Sequence, residues 1–297
     1  LFTTVETVCL ESRGRQLEVG PEQTSDGALE LRILVVGAGG YLGSQVVRRA
    51  TARGHEVVGT ATTAASGHRV LDVRSRAAVL ALLADVRAEA VLNLAARMDD
   101  WAVTADGAAH VAVGASGARL VHVSSDVVHG GRPTPYTEND LPDPKGRYGA
   151  AKAAAETAVA AVAPAAAIVR TSLIIGSDDS QHIRLVHDLI AGRRGGFLFE
   201  DEVRCPVHVD DLADGLIELA ENDYPGVLNV AGPEPISRAD LGRLVARRDG
   251  TDPSRVPTGL TADAALGPRA SDVKLDCSRA YALLRTSFRE ASASLRG

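Results

Sequence analysis

Cysteine is scarce in this 297-residue chain: Cys9, Cys205 and Cys277 lie far apart and are odd in number. Neither a disulfide framework nor a zinc pattern can be built from them, which fits a reducing cytoplasm. The eight histidines include no HExxH or comparable ligand spacing, so no metal site is expected. No apolar stretch is long enough to span a bilayer. No basic run stands out from the mixed charge, whose net value is −6. Neither a membrane nor a nucleic acid is therefore an expected partner. Lysine is nearly missing too. Of 32 basic residues only Lys145, Lys152 and Lys274 are lysines, so a lysine on an alanine-rich segment calls for a reason.

What is present is globular: 45% hydrophobic and 24% charged residues, in a chain long enough to bury a substantial core. Residues 1–30 read as neither a signal peptide nor a membrane span and are expected to be poorly ordered. From Leu31 short apolar runs alternate with helical stretches. "LRILVV" (31–36), "HEVVGT" (55–60), "HRVLDV" (68–73), "AEAVLNLAA" (88–96), "ARLVHVSSD" (118–126) and "AAIVRTSLIIG" (166–176) read as strands. Helices are expected at 41–54, 74–86, 148–162, 181–191, 211–221, 237–248 and from about 278. Such alternation predicts an α/β fold: a doubly wound parallel (Rossmann) sheet, here with a smaller C-terminal α/β lobe. The expected division is an NAD(P)-binding domain over 31–176 and a substrate-binding lobe over 177–297, with 226–232 returning to the sheet.

Between the first strand and first helix stands "GAGGYLG", with Gly37, Gly39, Gly40, Tyr41, Leu42 and Gly43 as candidate cofactor contacts. Glycines there allow a tight turn, close approach to a pyrophosphate and tight helix–strand packing, and the helix N-terminus favours the phosphates. An NAD-selective site would place an acid at the end of the second strand. That strand ends "GTATT", so NADP(H) is favoured over NAD(H), although no arginine before Arg69 offers a phosphate partner. Asp72 and Val73 are placed beside the adenine. Asn93, Ala95 and Ala96 are placed where the fourth strand passes the cofactor.

Tyr148 and Lys152 are four residues apart on a predicted helix and therefore share a face. An ammonium there is expected to lower the phenol's pKa and to hold a ribose hydroxyl, with Tyr148 donating a proton to a developing alkoxide. "HVSSDVVHG" (122–130) ends the fifth strand, where a serine can polarise a carbonyl oxygen. Together these make a Ser–Tyr–Lys constellation for carbonyl–alcohol redox chemistry.

The glycine turn, strand-end serine and YxxxK resemble the extended short-chain dehydrogenase/reductase family. From Leu31 onward the chain is similar to its dTDP-4-dehydrorhamnose reductase branch. "SSDVVHGGRPTPYTENDLPDPKGRYGAAKAAAE", "VRTSLIIG", "CPVHVDDLA", "LNVAGPEPISRADL" and "RASDVKLDCSRA" carry the likeness. The resemblance implies that Ser125, which directly precedes Asp126, joins Tyr148 and Lys152 as the catalytic set. The chain departs from the branch at Val127 and Leu173, where aromatic residues are usual, and at Glu202 and Arg204, where glutamine and glycine are usual. Candidate substrate contacts are Arg97, Asp126, Arg204 and Arg269, whereas Arg184 reads as a solvated helix residue. The implied activity is NADP(H)-dependent reduction of a keto group on a nucleotide-linked sugar or similar polar substrate. A nucleotide-sugar epimerase and a non-catalytic NAD(P)-binding regulatory protein remain open, as does a homodimer.

Overall fold

The computed structural model describes residues 30–64, 67–264, 267 and 269–296. The expected poorly ordered segment therefore lies, except for Glu30, outside the described residues. Seven parallel strands form the central sheet: β1 (Arg32–Val36), β2 (Glu56–Ala61), β3 (Arg69–Val70), β4 (Ala90–Asn93), β5 (Arg119–Ser125), β6 (Ala167–Thr171) and β7 (Gly226–Asn229). Their spatial order is β7-β6-β5-β4-β1-β2-β3. The inner strands are buried almost end to end, as the near-continuous apolar runs of a doubly covered parallel sheet require. β3 is only two residues long and exposed, since an edge strand has one partner.

Helices α1 (Tyr41–Ala52), α2 (Arg76–Val86), α3 (Gly107–Gly114) and α4 (Arg147–Val162) connect successive strands. On one face α2, α3 and α4 enclose a core of Val79, Leu82, Leu83, Val111 and Val159 against Leu34, Val36, Val91, Leu120 and Ile168. On the other, α1 packs beside α6 (Val209–Glu221), tied by ion pairs from Arg49 and Arg53 to Asp214. The sequence pattern predicts no element between β4 and β5. The chain there forms a π-helical turn, Ala102–Asp106, running into α3. Two glycines and the β-branched Val103, Thr104, Val111 and Val113 lower the helix propensity of "AVTADGAAHVAVG" against its five alanines, and packing between α2 and α4 supports the helix.

The run expected to be one strand over 166–176 breaks after Thr171. Ile174–Ile175 leaves the sheet to pair with Val207–His208. Two further short pairings, Ile236–Ser237 with Val203–Arg204 and Thr258–Gly259 with Leu198–Phe199, build the lobe. Its core joins α5 (Gln181–Ile190) to α7 (Arg238–Arg248) through Ile183, Val186, Leu189, Leu241, Val245 and Val256. Among the described residues no helix is long and apolar enough to cross a membrane.

Candidate active site

The strand order reverses between β1 and β4, and ligands of such sheets bind beyond the carboxyl ends at that point. Here β1 delivers the glycine turn. A Cβ on Gly43 would lie 2.2 Å from the Gly37 carbonyl oxygen, so only glycine lets α1 start this close to the turn. Gly39 and Gly40 are exposed, and the α1 N-cap, Gly40, has no side-chain cap. The first-turn N–H groups have no intrahelical partner, and the exposed glycines before them carry no Cβ to block an approach. These residues fit a dinucleotide pyrophosphate.

A cavity of about 760 Å³ opens beside this turn. Tyr41, Leu42 and Ala96 line it on the cofactor side, Ser125, Asp126, Tyr148 and Lys152 on the strand-end side, and Arg204 and Arg269 on the lobe side. The three residues of the expected catalytic set therefore share one wall. α4 approaches closely because of Gly149, whose Cβ would meet the Val127 carbonyl oxygen at 2.2 Å.

Ser125 Oγ donates to Asp126 Oδ1 at 3.3 Å. Asp126 is buried; its Oδ2 accepts from Ser172 Oγ at 2.6 Å and lies 3.6 Å from Arg204 Nε. Burial raises the Asp126 pKa above the usual carboxylate range, opposed by Arg204 and the two serine hydroxyls. Ser172 was not among the expected site residues. It follows the last sheet residue of β6, so the strand break and the site contact are one feature.

Lys152 is buried, donates from Nζ to the Val123 carbonyl oxygen at 2.8 Å, and lies 6.0 Å from the Tyr148 ring centroid. Burial pulls its pKa down to about 8, with Glu156 opposing. The expectation that Lys152 lowers the Tyr148 pKa is not met. Burial, and then the negative charge of Asp126, push the phenol up to about 12, while the Lys152 ammonium is bonded to the Val123 carbonyl. One turn on, Glu156 is buried, accepts from Ser124 Oγ at 2.6 Å and pairs with Arg170 at 2.8 Å.

Other expected contacts are placed differently. Arg97 does not line the cavity: its side chain is exposed, while its N–H and carbonyl bond Thr104 Oγ1 at 2.9 and 2.8 Å. Arg184, read as solvated, does line it. So do Lys145, Arg147, His182 and Arg238, none of which is among the candidate site residues of the sequence. Arg204 reaches the wall, but its guanidinium donates to the carbonyls of Val203, Ser271 and Ala270, so its role there is to clamp the lobe. Arg269 pairs with Glu202 at 2.5 Å and stacks over Phe199. Asp72 is tied to Arg74 at 2.7 Å, which holds its carboxyl down at about 2, and Val73 is buried with its carbonyl facing His110. Asn93 is buried and bonded to His122 and to the Ala95 N–H. Neither Asn93 nor Ala95 lines the cavity.

The family model described as RmlD substrate binding domain matches residues 31–296. The chain belongs to this family. It is 32% identical over 272 residues to the dTDP-4-dehydrorhamnose reductase of Mycobacterium tuberculosis, covering 85% of this chain and 86% of that one. Among solved structures, dTDP-4-dehydrorhamnose reductase from Bacillus anthracis in complex with NADP matches with TM-score 0.77 and 23% identity, over 90% of this chain and 97% of that chain. The Bordetella bronchiseptica enzyme WbmH in complex with NAD+ matches with TM-score 0.77 and 19% identity, over 89% and 96%. Both structural likenesses are at the level of fold. Family and fold together support an NAD(P)-dependent, oxidoreductase-like enzyme.

Proposed function

We propose that the chain is an NADP(H)-dependent reductase of a keto group on a nucleotide-linked sugar. The observation that carries this reading is that Ser125, Tyr148 and Lys152 line one cavity together with Tyr41 and Leu42, the first residues of α1 after the glycine turn. The cofactor supplies the hydride. Ser125 Oγ, which can turn from Asp126, donates a hydrogen bond to the substrate oxygen. Tyr148, neutral far above pH 7, is the proton donor to that oxygen. The protonated phenol is the form that reduction, which consumes a proton, requires. Lys152 spends one N–H on Val123 and keeps two for a ribose hydroxyl. The absence of any acid in residues 60–64 at the end of β2 supports NADP(H) over NAD(H).

The test is loss of NADPH absorbance with a panel of nucleotide-linked keto-sugars, repeated with NADH. Tyr148→Phe is expected to lower kcat by roughly 10²–10⁴-fold while leaving NADPH affinity in place. Unchanged turnover in that variant contradicts the assignment.

A further inference from the structure

Three arginines, Arg204, Arg238 and Arg269, reach the lobe side of the cavity, facing the buried carboxylates Asp126 and Glu202. Arg204 is paired with Asp126 and Arg269 with Glu202. Arg238, at the start of α7, is left over. Among the described residues no carboxylate oxygen lies within 4.0 Å of its guanidinium. Among the described residues its side chain bonds only the His182 ring, Nη1 to Nδ1 at 3.2 Å. His182 is no counter-ion: burial and Arg238 hold its pKa down at about 3, so the ring is neutral and accepts at Nδ1.

Arg238 feels the field of Glu202, but Arg204 and Arg269 already engage that carboxylate; a partly buried guanidinium with no ion pair of its own is costly, and such a perturbed group in a cleft marks a candidate functional site. We propose that Arg238, steadied by His182, anchors a phosphate of the substrate. The inference rests on the nucleotide-linked sugar reading, because that substrate carries a diphosphate. A guanidinium fork matches phosphate oxygens in a two-point contact that an ammonium cannot reproduce. Arg184, on the same helix as His182, lines the same cavity and adds to the field.

The test is calorimetric titration of inorganic pyrophosphate, dTDP and UDP into the full chain saturated with NADP+, which occupies the cofactor's own phosphate site. Loss of a charge-assisted contact in Arg238→Gln is expected to weaken binding by about 10- to 100-fold, with Arg238→Lys recovering part of it. NADPH affinity should stay in place, and the melting midpoint should hold or rise because glutamine removes an unmatched buried charge, which separates the effect from misfolding. Arg238→Gln binding all three probes like the unaltered chain overturns the proposal alone. An unaltered chain that binds none of them removes the nucleotide-linked sugar reading and the proposal with it.

Discussion

At Lys152 burial and charge pull in opposite directions. Burial drives the ammonium down to about 8, while Glu156 on the same helix limits the fall; the neighbouring His122 is neutral and adds no charge. Raising the pH through about 8 therefore removes the charge in the folded chain. NADPH affinity is predicted to fall with an apparent pKa near 8, read by fluorescence titration at pH values on either side. Stability moves the other way. Between about 8 and the usual 10.5 the unfolded chain binds the extra proton, so this group makes stability rise with pH over that window. Gly43→Ala is predicted to abolish NADPH binding with helix content retained by circular dichroism, because its Cβ would overlap the Gly37 carbonyl oxygen. The spacing of Tyr148 and Lys152 was legible, since a helix converts four residues into one face. Arg97 was not, because the Thr104 bonds fix its backbone while its side chain is exposed. Arg238 was not either: an arginine at a helix start looks solvated until the partners of Glu202 and Asp126 are known.

Among the elements, α4 does most to hold the site. It presents Tyr148, Lys152 and Glu156 one turn apart, and Glu156 fastens it to β5 through Ser124 and to β6 through Arg170. Removing one partner leaves an unpaired buried charge, so Glu156→Ala is predicted to cost about 3–5 kcal/mol in urea unfolding. Arg170→Ala should cost a similar amount, and the double variant less than the sum. Long periodic elements such as α4 and α7 could be read from pattern to within a few residues. The Ala102–Gly114 helical stretch could not, because its helicity comes from burial between α2 and α4 rather than from propensity. The end of β6 was misread as one strand since Ser172, bonded to Asp126 and to the Cys205 N–H, turns the chain out of the sheet.

For the whole molecule, strand–helix alternation was enough to predict a parallel doubly wound sheet, and the crossing at β1 and β4 then sets where a dinucleotide lies. The lobe was less legible. Its paired strands are two residues long, too short to show a period, and its contribution to the cavity comes from four separated stretches around 172–184, 202–204, 238 and 269–270. The central claim is that this cavity carries out net carbonyl reduction. Its most direct test is to supply NADPH deuterated at the transferable position with a nucleotide-linked keto-sugar and to follow the label by mass spectrometry. The account predicts one deuterium on the new carbinol carbon for each NADP+ formed, and none with Tyr148→Phe. Label remaining on the cofactor, or a converted sugar without any NADP+ formed, contradicts it.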